Sequence, residues 1–447
     1  MSVILAYTLP WRGHVFPLVP VLLELKRRGH DVVLASHPKA CAFLEDEGLR
    51  MVSTTLDVDD GQMRHGAQCQ SSGHEHADGS HGARCAEEMA ERQRALSREL
   101  GMPGAMELQS LISRLQPDCL LIDPLIWGAM IAAEASGLPW AAAAHSCVLI
   151  PSKGVRAIGP GYAPARAWRD RLLLYFLGRQ RALINDQLFL LEINSVRGQF
   201  SLEMLKHARD AYQRAPLTLA FTAEPFEYPR TDWHPSVRFI GPALWEPKGM
   251  PLEWTRELGE RPLLLISTSS AEQDDQGLVP LAIDALRHEG WQLVATLAST
   301  TGVSESTANV RVENYVPHGQ ILPYANCVVC HAGYGITQKA LAAGVPVVAI
   351  PYGRDQFEVA RRVEVARAGV RLPASFLTPE RLKWAVQEAI SMRAGAQRIA
   401  ECFCQAGGTT VAANSVEQII QRSARHSRAK SHDSPAAAPS ARPAHTS

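Results

Sequence analysis

Val328-Val329-Cys330-His331-Ala332-Gly333-Tyr334-Gly335-Ile336-Thr337 carries an apolar run into a glycine turn and the opening of a new helix. Gly333 and Gly335 lack a Cβ, so backbone N–H groups can approach a bound anion closely. The unpaired amides and positive dipole end of the helix that follows favour negative charge. The junction reads as a diphosphate seat, with His331 as an added donor and Thr337 as a hydroxyl within the same turn. The next apolar strand, Val345-Pro346-Val347-Val348-Ala349-Ile350-Pro351, ends in Tyr352-Gly353-Arg354-Asp355-Gln356. The carboxylate of Asp355 and the amide of Gln356 suit sugar hydroxyls. A glycine turn alone is also how many α/β proteins merely pack helix against strand, so taken by itself the turn leaves both readings open.

The chain opens in the same style. Val3-Ile4-Leu5-Ala6-Tyr7 is a short buried strand, Thr8 to His14 a loop, and Pro17 to Arg28 a helix with Leu18, Leu22, Leu23 and Leu25 along one side, stopped by Gly29. A second strand, Asp31 to Ala35, follows. Strand–helix–strand over this length implies parallel strands and a right-handed crossover, so ligands gather at the carboxyl ends of the strands. Two further strands end at Asp123 and near His145, and Ala220-Phe221-Thr222 and Phe239-Ile240-Gly241-Pro242 close the unit. The logic then restarts. Leu263-Leu264-Leu265-Ile266 runs into a hydroxyl-rich loop beginning Ser267-Thr268, followed by a helix near Gly277 to His288 and a strand from Gln292 to Leu297. A chain of 447 residues exceeds what one hydrophobic core usually organises. The division expected is a first domain over 1–245, a linker over 246–260 containing Pro247, Gly249 and Pro251, a second domain over 261–422, and a disordered Ser/Ala/Pro/His-rich tail over 423–447.

Composition narrows the function. Apolar residues make up 46% and charged residues 20%, and the formal net charge of zero argues against nucleic acid as the main partner. No apolar run reaches 18 residues and residues 1–14 lack the pattern of a signal peptide, so a cytoplasmic protein is expected. Nine cysteines, an odd number, point to reduced thiols rather than a disulfide framework. Cys327 and Cys330 lie three apart on one strand, face opposite ways and chelate poorly. Residues 58–87, with His65, His74, His76 and His81 beside Cys69 and Cys85, read as a long flexible loop; the ligand types make a metal site conceivable, but ligands so loosely spaced more often belong to a solvated insertion. From Pro151 to Ala215 the chain turns helical. Its basic first half (Lys153, Arg156, Arg166, Arg169, Arg171, Arg179, Arg181) is interleaved with Trp168, Leu172, Leu173, Leu174, Tyr175 and Phe176. A solvated helix face is the plainer reading, and a membrane surface or an amphiphilic acceptor the other.

H-A-G-Y-G-I-T at 331–337, A-L-A-A-G-V-P at 340–346 and P-Y-G-R-D-Q at 351–356 together resemble the donor-binding signature of the family 1 nucleotide-sugar glycosyltransferases. In style the match is to bacterial members that decorate macrolides, aromatic polyketides and enediynes, and it runs from about residue 3 to about residue 420. The resemblance implies the GT-B fold: two facing Rossmann-like doubly wound α/β domains with an interdomain cleft, acceptor in the first and donor in the second. It also implies direct displacement with inversion at the sugar C1, with neither cofactor nor metal required. Gly13-His14-Val15-Phe16-Pro17 matches the family pattern G-H-x-x-P, whose histidine is the usual base, and Asp123 matches its aspartate helper. Read from the residues alone, a histidine has a pKa near operating pH and needs a partner to fix its tautomer, and both residues fall at carboxyl ends of expected parallel strands. The competing roles are helix capping by His14 and an N-cap at Asp123 before Pro124.

For the donor, Ser267, Thr268, His331, Gly333, Gly335, Ile336, Thr337, Asp355 and Gln356 are expected to line the site. Asn314-Tyr315-Val316-Pro317-His318 resembles the family's base-binding W-x-P-Q segment, with Tyr315 in place of tryptophan and Val316 beside it. Plant members carry serine where Ile336 stands, and where Lys339 stands a glutamate that accepts from the ribose hydroxyls. Lysine only donates. That departure weakens the case for UDP and leaves room for dTDP, whose deoxyribose lacks the 2′-hydroxyl. The acceptor expected is an apolar natural product such as a polyketide or macrolide, with a lipid next. Two alternatives keep the same architecture: a nucleotide-sugar 2-epimerase, and a non-catalytic nucleotide-sugar-binding protein that has no need of His14 and Asp123 as neighbours.

Overall fold

A computed structural model describes residues 1–41, 44, 47–58, 91, 93–150, 152, 159, 161–165, 167–247, 252–257, 261–269, 274–297 and 307–432. Seven strands form the first sheet: β1 (Val3–Tyr7), β2 (Asp31–Ser36), β3 (Arg50–Ser53), β4 (Cys119–Ile122), β5 (Trp140–Ala144), β6 (Leu217–Ala220) and β7 (Val237–Phe239). Their order is β3-β2-β1-β4-β5-β6-β7, with every neighbouring pair parallel. The central strands are buried on both faces, which is why they read as unbroken apolar runs rather than alternating ones.

The second sheet has six strands: β8 (Leu263–Ser267), β9 (Gln292–Thr296), β10 (Val310–Glu313), β11 (Ala325–Cys330), β12 (Val347–Ala349) and β13 (Gly369–Arg371). It is again wholly parallel, in the order β10-β9-β8-β11-β12-β13. The same doubly wound plan therefore appears twice. In each copy the strand order reverses at one place, between β1 and β4 and between β8 and β11, and there the crossovers diverge and leave a crevice at the carboxyl ends.

The helices that position the site are α1 (Arg12–Arg27), α2 (Met102–Leu115), α3 (Trp127–Ser136), α4 (Trp168–Asn185), α5 (Leu191–Gln199), α6 (Leu278–Leu286), α7 (Tyr334–Ala342), α8 (Gln356–Val365), α9 (Pro379–Ser391), α10 (Arg393–Gln405) and α11 (Gly408–His432). The expectation of a helix starting at Pro17 is corrected. Helix α1 begins at Arg12 and holds both Pro17 and Pro20 in its interior. Pro17 has no N–H to donate to the Gly13 carbonyl, nor Pro20 to that of Phe16. Burial of Val15, Leu18, Val19, Leu22 and Leu25 against β1, β2 and β4 outweighs that loss. His14 thus lies on the first turn of a helix, not in a loop.

Helix α11 runs on to His432, ten residues past the point where sequence composition suggests order ends, and residues 433–447 lie outside the described ones. It also returns to the first sheet. Ala412, Ala413 and Val416 pack with Ile4, Leu18 and Leu22, and Glu417 pairs with Arg28 at 2.9 Å and with His30 at 3.2 Å. Of the expected linker, the stretch Glu253–Glu257 forms a short 3₁₀ turn. Leu252 donates its N–H to Gln320 Oε1 at 2.9 Å, and Trp254 packs on the second core beneath the Arg311 guanidinium, 4.3 Å from its ring centre. Cys327 and Cys330 do fall in different cores on opposite faces of the second sheet. The histidine-rich stretch over 59–87 and residues Lys153, Arg156 and Arg166 lie outside the described residues.

Candidate active site

The first crevice brings together the two residues that sequence spacing singled out. Tyr7 at the end of β1 is in register with Ile122 at the end of β4, so the residues leaving these strands, Thr8 and Asp123, emerge side by side. Asp123 is fully buried. Its Oδ2 accepts from His14 Nδ1 at 2.6 Å, Thr8 Oγ1 at 3.0 Å and Leu9 N at 3.3 Å, while Oδ1 accepts from Leu125 N at 3.0 Å. Burial alone would raise its pKa. The charges of His14 and His145 and the hydrogen bonds from His14 and Leu125 more than offset this and hold the carboxyl well below the usual range. An ionised Asp123 only accepts, so His14 Nδ1 carries a proton and Nε2 is left with its lone pair. Of the competing readings, the turn bond from Asp123 to Leu125 exists alongside the histidine contact, and the His14 side chain does not cap α1, whose N-cap is Trp11.

Sequence reasoning reached His145 only as the end of a strand. The structure stacks its ring against His14, with centroids 3.9 Å apart and planes at 59°. Its Nδ1 donates to the Ala143 carbonyl at 2.9 Å. Burial, reinforced by the His14 charge, pushes its pKa down to about 4, so it is neutral where His14 works. The signal available beforehand was positional: β5 neighbours β4, so its carboxyl end opens on the same crevice. His14, Asp123 and His145 have donor atoms within 4.8 Å of one another, the composition of a metal site.

The second crevice holds the expected anion seat. Cys330 at the end of β11 is in register with Ser267 at the end of β8. His331 leaves β11 buried, with Nδ1 3.9 Å from the Asp275 carboxylate, and burial lowers its pKa against the opposing pull of Asp275. A Cβ built on Gly333 would fall 2.2 Å from His331 Nε2, so that nitrogen overhangs the first turn of α7, where the free amides point. A Cβ on Gly335 would meet nothing within 4 Å, which leaves that flank of the seat open. Ala332, Asp274 and Arg354 all take left-handed backbone conformations, with φ of 63°, 59° and 55°. All three sit in loops at the carboxyl edge of the second sheet. Strain of this kind costs of order 1 kcal/mol per residue and gathers where a ligand must be met.

Several expected donor residues are placed differently. Thr337 is fully buried and its hydroxyl lies 3.9 Å from Cys330 Sγ. Ile336 and Val316 join the second core. Ser267 and Thr268 spend their hydroxyls on the carbonyls of Thr268 and Thr296, both at 3.3 Å. Gln356 Oε1 accepts from Tyr352 N at 2.7 Å and Gly353 N at 3.0 Å, so its oxygen shapes the loop. Asp355 stands at the N-terminus of α8 and is raised in pKa by burial. The charges of Arg354, His14 and His331 oppose that rise.

Tyr315 is exposed, with its ring available for stacking. Beside it Lys339 donates to Glu246 Oε1 at 2.6 Å, and Glu246 also accepts from the N–H groups of His318 and Gly319, each at 2.9 Å. The lysine at 339 is thereby paired with a carboxylate delivered from the linker, a pairing that spacing along the chain gave no means to see. The two halves are joined directly. Glu358 Oε1 on α8 accepts from Gly159 N at 3.0 Å and Gly161 N at 3.1 Å, and Arg361 Nε donates to the Gly161 carbonyl at 2.7 Å. Gly161 has φ of +71° and a Cβ there would sit 2.2 Å from the Phe357 carbonyl oxygen, so only glycine permits this contact. Below it, Arg362 pairs with Glu227 at 2.9 Å and Glu358 at 3.0 Å, all three buried.

Residues 283–418 match the family model described as erythromycin biosynthesis protein CIII-like, C-terminal domain. The chain is 29% identical over 436 residues to 4'-demethylrebeccamycin synthase of Lentzea aerocolonigenes, covering 93% of this chain and 99% of that one. It is 25% identical to demethyllactenocin mycarosyltransferase of Streptomyces fradiae, covering 95% and 88%. Among solved structures, the glycosyltransferase VinC in complex with dTDP superposes with a TM-score of 0.66 at 19% identity, over 94% of this chain and 100% of that one. That likeness bears out the two-domain GT-B architecture.

Proposed function

We propose that this chain is a GT-B nucleotide-sugar glycosyltransferase of the natural-product kind, as its likeness to such enzymes supports, and that it transfers a hexose with inversion from a dTDP-sugar to a hydroxyl of an apolar small molecule, with His14 as the base. The observation that carries this reading is the 2.6 Å contact between His14 and buried Asp123 at the switch point of the first sheet. His14 Nε2 takes the proton of the acceptor hydroxyl as that oxygen forms its bond to the sugar C1. The bond from C1 to the diphosphate breaks on the far side, and its electron pair leaves with the nucleotide. Asp123 supports the imidazolium that develops. The leaving charge goes to the open amides of α7 and to His331, so no metal is needed for that role. Asp355, in the loop between β12 and α8, is the candidate to hold the sugar hydroxyls.

A thymidine nucleotide is favoured over a uridine one because Lys339, already bonded to Glu246, offers no acceptor to a 2′-hydroxyl. The complex of VinC with dTDP supports the same choice. A non-catalytic binding protein has no use for an ionised aspartate bonded to a histidine in the opposite crevice. The test is product formation with dTDP- and UDP-hexoses and a panel of aromatic and macrolide acceptors, using wild type and His14→Ala. Transfer that His14→Ala abolishes while leaving nucleotide affinity intact supports the reading, and transfer undiminished in the variant refutes it.

A further inference from the structure

We infer that helix α4 docks the protein on an anionic bilayer surface. A helix covering a soluble domain normally turns its apolar stripe inward. Helix α4 does the reverse: none of its residues is buried, and Trp168, Leu172, Phe176 and Leu183 are 69%, 49%, 58% and 55% exposed. Their spacing stacks them along one outward side, flanked by exposed Leu173 and Tyr175 and continued by Leu191 at the start of α5. An exposed apolar cluster of this kind marks a surface meant to be covered.

Charge decides what covers it. Between Trp168 and Asn185 the helix carries four arginines, 169, 171, 179 and 181, against the single acid Asp170, a net +3 in a chain whose formal charge is zero. Asp170 is engaged at the start of the helix, accepting from Ala167 N at 2.9 Å, and Arg169 lies 5.5 Å from the Trp168 ring centre. Aromatic and leucine side chains interleaved with the exposed Arg169, Arg171 and Arg179 match the boundary between acyl chains and anionic headgroups. A second copy of the same helix would bring like charges face to face. Among the described residues no helix is long and apolar enough to cross a membrane, so α4 lies on the surface.

The experiment is co-sedimentation of the full chain with vesicles of phosphatidylcholine alone and of phosphatidylcholine mixed with phosphatidylglycerol, with sedimentation velocity in the absence of lipid. Wild type is expected to partition onto the anionic vesicles, to release with salt, and to leave neutral vesicles nearly bare. Arg169→Gln with Arg179→Gln should lower the partition coefficient about 30-fold, at roughly fivefold per charge. Trp168→Ser with Phe176→Ser should lower it about tenfold or more. All four positions are exposed, and unchanged melting temperatures establish that the variants fold. Equal binding to both vesicle types, no binding to either, or a wild-type dimer that the Trp168 and Phe176 variant dissolves would each overturn the inference. This readout is binding alone, so it stands or falls separately from the transferase chemistry.

Discussion

Replacing Asp123 by asparagine removes a charge and almost no volume, and so isolates what the carboxylate does for His14. In the wild type Asp123 Oδ2 is 2.6 Å from His14 Nδ1 in a site with no access to solvent on the aspartate side. When His14 takes the acceptor proton, unit charges about 4 Å apart at an effective dielectric near 20 attract by roughly 4 kcal/mol, which corresponds to about a thousandfold in rate. The amide also leaves the tautomer of His14 unset, because its two ends offer both a donor and an acceptor. The variant should therefore lose on the order of 10³ in kcat, with the KM for the nucleotide sugar nearly unchanged, since the donor seat lies in the other crevice. Steady-state kinetics at saturating donor, with a melting curve to show that the variant folds, make the comparison. A kcat within threefold of wild type in a folded variant would refute the assignment of His14 and Asp123 as the catalytic pair.

In the donor seat, Gly333→Ala puts a methyl 2.2 Å from His331 Nε2 and should displace the imidazole, weakening nucleotide binding by roughly ten- to a hundredfold for one charge-assisted hydrogen bond, as read by calorimetry. Gly335→Ala meets no protein atom within 4 Å, so it should stabilise α7 by about 1 kcal/mol while lowering donor affinity. Unchanged affinity there would mean that no phosphate approaches that backbone. Arg362→Met removes the cation that Glu227 and Glu358 share, leaving Glu227 with Arg230 and Glu358 with the Gly159 and Gly161 amides, and should cost about 1–3 kcal/mol, a fall of several degrees in melting temperature. A change of less than a degree would show the network to be dispensable. His145 is held near 4 in the folded state against 6.5 when unfolded, so between those values the unfolded chain binds the extra proton. Stability should drop by roughly 3 kcal/mol as pH falls through that window, and His145→Gln should flatten the drop in a melting series across pH.

The parts of the fold legible in the sequence were those where local chemistry and tertiary role agree. Val3 to Tyr7 and Val328 to Cys330 read as buried strands because parallel strands covered on both faces have no polar alternation to confuse the pattern. His331-Ala332-Gly333 reads as a site because it follows such a strand directly, and Gly13-His14 because it opens the first helix after one and matches the family pattern. The start of α1 was misread because Pro17 and Pro20 obey a local rule that packing of Leu18 and Leu22 on the sheet overrides. The burial of Thr337 was hidden for a related reason: only the helix phase against β11 sets its hydroxyl near Cys330. Long-range pairings left no local trace. Lys339 with Glu246, Glu358 with Gly159 and Gly161, and α11 lying back on the first sheet join residues 93, 199 and more than 380 positions apart. His145 was within reach, since a histidine at the carboxyl end of the strand beside β4 belongs to the same crevice.

The central claim is that a nucleoside diphosphate sits at His331 and the N-terminus of α7, and the melting temperature of wild type and His331→Ala with dTDP, UDP or no nucleotide tests it most directly. A ligand at a hundred times its Kd stabilises by about 2.7 kcal/mol, enough to raise the melting temperature by a few degrees. The account predicts that shift for the wild type, larger with dTDP than with UDP, and its loss in His331→Ala. No shift with either nucleotide at saturating concentration, or the same shift in the variant, would contradict it.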